Sequence, residues 1–186
     1  MSHPDDLLAR AWAEREESLY PRLLGALGPG LYPLDAAVFS TVFGQDSVDP
    51  RWLTIGVFEC PPTPDRPGWA YVSSGLSNPW DETEADPDSV SGLGMEFLLQ
   101  TTERAPWALT LVQRFCAYQL LLAAGRMGNH APLDLWDRSI AAVWPGISSA
   151  SSTGTSGRLC ANPVLGVQCW VMAMASFSYG QECRRF

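Results

Sequence analysis

Lysine is absent from this sequence. All 12 basic residues are arginine, which removes a P-loop lysine, a Schiff-base enzyme and every lysine general base. Histidine is almost as scarce, with only His3 and His130. There is no H-x-x-x-H or H-E-x-x-H pair to hold a metal, and no G-x-S-x-G nucleophile elbow. The five cysteines are odd in number and contain no CxxC, so neither a disulfide framework nor a zinc site is expected; free thiols in a reducing compartment are. Long apolar runs are also missing. The stretches Phe115–Ala124 and Cys169–Phe177 are too short to span a bilayer. The start, Met1-Ser2-His3-Pro4-Asp5-Asp6, lacks the basic and apolar parts of a signal peptide. The expectation is a soluble cytoplasmic protein.

With 46% hydrophobic and 17% charged residues, the 186-residue chain reads as globular and as one domain, with or without an appendage. Its net charge of −8 argues against nucleic acid, whose phosphates need a basic face. The charge is uneven. Residues 1–137 hold 19 of the 20 acids and eight arginines, a net −11. Residues 138–186 hold Arg138, Arg158, Arg184, Arg185 and one acid, Glu182, a net +3. Cys160, Cys169 and Cys183 crowd the same tail.

Asp5 or Asp6 can cap a first helix. Leu7, Leu8, Ala11, Trp12, Leu19, Leu23, Leu24 and Leu27 recur at helical spacing. Glu14, Arg15, Glu16 and Glu17 fit a wet face, and Pro21 predicts a kink or break. Gly28-Pro29-Gly30 ends the unit. Ala37–Phe43, Trp52–Glu59, Trp69–Ser74 and Leu93–Thr101 read as strands, being rich in β-branched and aromatic residues between proline, glycine and aspartate. The four prolines of Cys60–Gly68 make that stretch a loop. A long helix starts at Ala105-Pro106, with proline tolerated in its first turn, carries Trp107, Leu111, Phe115, Tyr118 and Leu122 on one side, and ends at Gly125.

Asn78–Asp88 is an acidic loop, with five carboxylates in the eight residues 81–88. Their mutual repulsion keeps it solvated. It lacks the ligand spacing and central glycine of an EF-hand, so no metal site is expected. Trp80, in this loop, is a candidate interface anchor; otherwise it folds back to plug its own loop. Glu96 stands inside an apolar strand. Either it lies on a solvent face, or it is a buried acceptor fixing a neighbouring backbone loop. The catalytic inventory is His130 with Cys116, or with a serine and Asp134, as a small hydrolase.

Three stretches, in this order, resemble the suppressor of fused domain family. The first is Arg15-Glu16-Glu17-Ser18-Leu19-Tyr20-Pro21-Arg22-Leu23-Leu24-Gly25. The second is Trp69-Ala70-Tyr71-Val72-Ser73-Ser74-Gly75-Leu76-Ser77. The third is Ser91-Gly92-Leu93-Gly94-Met95-Glu96-Phe97-Leu98-Leu99, followed by Ala105-Pro106-Trp107 and the long helix. The specific part is Tyr-Val-Ser-x-Gly-Leu-Ser followed by Ser-Gly-x-Gly-x-Glu, with Gly75, Gly92, Gly94 and Glu96 as its structural positions. The resemblance implies an α+β domain, with helices packed on a mixed or antiparallel central sheet. It implies a non-catalytic protein-binding module without cofactor, contacting neither nucleic acid nor membrane. Animal members of the family bind a short peptide as an added strand. Bacterial members resemble immunity proteins that neutralise a toxin by direct binding. By position, Tyr71 and the acidic residues Asp81, Glu82, Glu84 and Asp86 correspond to the region near the family's ligand groove. An open strand edge beside Tyr71 would favour peptide or protein binding. The partner expected here is a basic toxin domain or an extended peptide. The lysine-free, arginine-rich composition suggests a bacterial gene of high GC content.

The resemblance ends near residue 137. Gly146–Gly157 contains ten Ser, Thr or Gly residues in twelve, a linker composition. Residues 138–186 read as an atypical tail, either frameshifted or divergent. If frameshifted, the sheet lacks strands and leaves an edge unpaired.

Overall fold

The computed structural model describes residues 4–82, 91–130, 133, 158–162 and 167–172. Its centre is an antiparallel sheet of six strands: β1 (Leu31–Pro33), β2 (Gly56–Cys60), β3 (Trp69–Ser74), β4 (Glu96–Thr101), β5 (Arg158–Asn162) and β6 (Val167–Met172). Their spatial order is β1-β2-β3-β4-β6-β5. Helices cover both faces, so the fold is α+β.

Alternation along the strands divides the core in two. Tyr71 on β3 and Phe97 and Leu99 on β4 face α4 (Pro106–Ala123), which lies across β2, β3 and β4. Ala70, Val72 and Leu98 face the other way, against Tyr20 and Leu24. Those two residues belong to α2 (Tyr20–Leu24), which follows α1 (Pro4–Trp12) and a π-helical stretch, Ala13–Leu19. The α4 stripe packs as its spacing predicts, with Leu111, Phe115, Tyr118 and Leu122 buried. Trp107 is the exception: it sits in the first turn, 40% exposed.

Several local expectations are corrected. Ala37–Phe43 is not a strand but most of helix α3 (Ala36–Phe43). Asp35 caps it by accepting from the Ala37 N–H, and Gly44 ends it in the left-handed conformation. Phe39, fully buried and stacked on Trp52, holds it to the core; capping and packing override β-propensity. Trp52–Glu59 divides into a 3₁₀ turn, Pro50–Thr54, and β2. Pro21 does not break the first helix. The π-helical stretch changes the hydrogen-bond spacing just before it, with the Tyr20 N–H donating to the Arg15 carbonyl, and Pro21 falls in the first turn of α2. Nor is Arg15 on a wet face; it is 1% exposed. Strand β1 is an addition that three residues with a proline did not signal.

The backbone also continues past β4. β6 pairs with β4 from Glu96↔Met172 to Thr101↔Val167, and β5 pairs with β6. The β4 edge is therefore paired, by a strand that follows residue 137. The chain after α4 is held by Gln119. Its side-chain oxygen accepts from the Leu133 N–H at 2.8 Å, and its nitrogen donates to the Leu133 carbonyl at 3.2 Å.

The start of α4 depends on one side chain. Ala105 offers no side-chain cap, and its own N–H donates to the Tyr71 hydroxyl oxygen at 2.7 Å, with both residues buried. Tyr71→Phe leaves that N–H without an acceptor and should cost about 1–3 kcal/mol. A urea-unfolding midpoint unchanged from wild type would show that α4 does not need this bond.

Candidate functional site

The site is built on the turn that leaves β3. Residues 70–79 are all buried, although this stretch contains Ser73, Ser74, Ser77 and Asn78. Buried polar groups need partners, and two charges supply most of them. Glu96, at the start of β4, is fully buried. Its Oε1 accepts from the Gly75 N–H (3.0 Å), the Ser77 N–H (3.1 Å) and the Ser77 hydroxyl (2.7 Å). Its Oε2 accepts from the Ser73 hydroxyl at 2.5 Å. Arg15 enters from the π-helical stretch. Its Nε donates to Ser74 Oγ (2.9 Å), Nη1 to Ser77 Oγ (3.1 Å) and Nη2 to Asn78 Oδ1 (2.9 Å). Arg15 Nη1 and Glu96 Oε1 are 3.9 Å apart.

Serine is used here because a hydroxyl both donates and accepts. Ser77 accepts from Arg15 and donates to Glu96. Ser74 accepts from Arg15 and donates to Glu16 Oε1 at 2.5 Å. Ser73 donates to Glu96 and accepts from the Phe97 N–H at 2.7 Å. Tyr20 adds a bond from its hydroxyl to the Ser73 carbonyl at 2.6 Å. Glycine is required twice. Gly75 has φ +125°, and a Cβ there would lie 2.8 Å from Ile55 Cγ1. Gly92 has φ +55°, and a Cβ would meet the Asn78 carbonyl at 2.5 Å. Gly94 closes the next turn by donating to the Ser91 carbonyl.

This turn fixes the root of the acidic loop. The Leu93 N–H donates to the Leu76 carbonyl at 2.8 Å, so the chain returns to where it left. Glu82 Oε1 accepts from the Gly92 N–H at 2.9 Å. Asp81 has an 89% exposed side chain and pairs with Arg51 at 3.1 Å. Trp80 is half-buried at the loop's entry. Trp12 lies 38% exposed beside the turn, its Nε1 donating to Asn78 Oδ1 at 3.1 Å. Glu84 and Asp86 lie outside the described residues.

Residues 51–141 match the family model of the suppressor of fused protein (SUFU). The chain carries a suppressor-of-fused-like domain. No curated protein and no solved structure matches the chain. Arg15, which the structure inserts into the motif of this domain, lies outside the matched stretch.

Within the suppressor-of-fused-like domain, Tyr71 is not a surface residue. It is 0% exposed and supports α4 from inside the core. The strand that carries it pairs with β2 on one side and β4 on the other. No open edge therefore runs beside Tyr71; among the described residues the sheet edges are β1 and β5. Pro33 in β1 has no N–H to donate to an added strand. Asp81 and Trp80 do reach the surface. Sequence reasoning assigned no role at the site to Trp12, at the end of α1, or to Arg15, although Arg15 opens the first stretch of the resemblance.

Cys116 and His130, two of the hydrolase candidates, stand in different surroundings. Cys116 is fully buried, and burial, reinforced by the charge of Glu96, pushes its thiol well above its ordinary range. His130 is exposed, and Asp134 lies outside the described residues. Cys60 is also buried and free, its thiol pushed up to about 11 by desolvation. Among the described residues no three His, Cys, Asp or Glu side chains stand together as a metal site.

Two outcomes follow from this geometry. Removing either charge strands the other in the interior, so Arg15→Met or Glu96→Leu alone should each cost about 3–5 kcal/mol. The double variant should cost less than the sum by about 0.5–3 kcal/mol; strict additivity in denaturant unfolding would refute the coupling. The thiols set an alkaline limit. A thiol with a raised native pKa keeps its proton after the unfolded chain, near 9.0, has lost its own. The stabilisation is full below pH 9 and is lost as pH rises from 9 toward 11 and beyond. Each thiol contributes about 1.4 kcal/mol per pH unit in its window. Cys60→Ala with Cys116→Ala should flatten the fall in urea midpoint between pH 9 and 11, and an unchanged slope would assign it elsewhere.

Proposed function

We propose that this chain is a non-catalytic, bacterial, cytoplasmic protein-binding domain of the immunity type, which neutralises a basic partner by direct binding. The observation that carries this reading is the placement of a strongly acidic loop on a rigid, buried turn inside the family-matched region. A loop whose ends are pinned loses less freedom on binding than a free one. Its carboxylates, with the −11 of residues 1–137, attract a basic partner before contact. Cys60 and Cys116 are buried, protonated thiols, which does not favour them as nucleophiles. Among the described residues no helix is long and apolar enough to cross a membrane, and Cys60 and Cys116 are free thiols; both agree with a cytoplasmic setting. Because the β3 edge is closed, the partner's contact is a surface contact on the loop side, not a strand added beside Tyr71.

Affinity purification of the tagged chain from its native host should recover a basic protein encoded beside its gene. Retention should weaken between low and physiological salt, as charge attraction across an exposed surface is screened. Replacing Asp81, Glu82, Glu84 and Asp86 by Asn, Gln, Gln and Asn should weaken that complex at least about tenfold, mainly through slower association. Deletion of the gene should harm cells that retain the neighbouring gene. If no basic protein is recovered and the deletion strain grows normally, the immunity reading is wrong.

A further inference from the structure

Asn78 is completely buried, and its side chain is only half used. Its Oδ1 accepts from both Trp12 Nε1 and Arg15 Nη2, which fixes the amide's orientation. Its Nδ2 is buried and has no acceptor among the described residues. Two residues on, the buried Nε1 of Trp80 has none either. In a turn where Arg15, Glu96 and all three serines are paired, two orphaned buried donors two residues apart are conspicuous, because a buried donor without an acceptor is costly. Both are donors, so what they lack is an acceptor and not a cation. The rim carries two carboxylates, Glu16, 28% exposed beside the buried Arg15, and Asp81, 89% exposed and paired with Arg51 on one side. A carboxylate would be repelled there; a neutral carbonyl would not. Beside them the Trp12 ring is exposed, and its Nε1 is already engaged with Asn78. That leaves the ring face as a platform for a cation.

We infer that Asn78 and Trp80, flanked by Trp12, Glu16 and Asp81, form the docking site for a basic, extended segment of a protein partner. A main-chain carbonyl of the segment accepts from the two free donors. An arginine or lysine of the segment lies over Trp12 and pairs with Glu16. Both donor atoms are buried, so the half-buried Trp80 turns outward as the segment enters. This inference rests on the protein-binding reading above and names the chemistry of the contact.

The test uses the full chain labelled with nitrogen-15. The probes are three capped peptides: Gly-Arg-Gly-Arg-Gly and its Gln and Glu counterparts. Indole N–H signals are assigned with Trp12→Phe and Trp80→Phe. The arginine peptide should shift the Trp80 indole and Asn78 amide signals saturably, the glutamine peptide should bind several-fold more weakly, and the glutamate peptide should not bind. Trp12→Leu should weaken the arginine peptide roughly two- to fivefold, whereas Asp65→Asn, on the proline-rich loop, should change nothing. Equal shifts from all three peptides, or arginine-peptide binding that ignores Trp12→Leu and leaves the Trp80 indole unmoved, would overturn the site. The two readings fail separately. A recovered partner whose affinity is insensitive to Trp12→Leu and Trp80→Leu overturns the site and leaves the immunity function. Saturable peptide binding with no partner and no growth defect supports the site and overturns that function.

Discussion

The Ser77 hydroxyl, held between Arg15 and Glu96, is the contact on which the rest of this structure depends. It joins three segments distant in sequence: the π-helical stretch, the turn after β3 and the first residue of β4. A carboxylate and a guanidinium removed from water carry a large desolvation cost, which their attraction offsets only where hydrogen bonds satisfy both groups. Here three guanidinium nitrogens find three different side-chain acceptors, and the carboxylate accepts four bonds. Such an arrangement is poor at adding net stability but good at excluding alternatives. A one-residue slip of β4 would move Glu96 to the α4 face, where the core is apolar and contains no cation to meet it.

The same network explains why the motif has its composition. Ser73, Ser74 and Ser77 are hydroxyls because each must give one bond and take another. Gly92 is a glycine because the returning chain passes close to the backbone of Leu76 and Asn78, and Gly75 because it packs against Ile55, both at positive φ. The motif is therefore a packing and hydrogen-bonding solution rather than a set of contact residues. It holds the root of the adjoining loop, and the side chains that reach the surface lie next to the motif: Trp80, Asp81 and Trp12.

This division decides what was legible in the sequence. Strand β3, the core of β4, helix α4 and the proline-rich loop could be read locally, because their periodicity and breakers agree with their tertiary surroundings. The α+β class and the structural role of Gly75, Gly92 and Glu96 were legible through the resemblance. Arg15 was not. Between Glu14, Glu16 and Glu17 it has the local signature of a solvated face, and only a partner 81 residues away makes it an interior residue. Helix α3 was hidden for the opposite reason: its β-branched and aromatic composition favours a strand, while the Asp35 cap and Gly44 stop were small signals in a loop-like context. Tyr71 shows the limit of positional transfer. A strand residue two places along the chain changes neither strand nor region, but whether a side chain meets the core or a partner depends on which layer covers that face, and here α4 covers it.

The tail follows from the same reasoning about layers. A four-strand sheet ending at β4 would expose the backbone of Glu96–Thr101, directly beneath the network's carboxylate. Pairing with β6 covers that edge from Glu96 to Thr101. An unpaired edge there would leave backbone groups of β4 open to water in the strand that begins with Glu96. Gln119, by bonding both backbone groups of Leu133, starts the returning chain from the α4 side of the sheet. Among the described residues, β6 occupies the position beside β4 that a sheet of the first four strands alone would leave open.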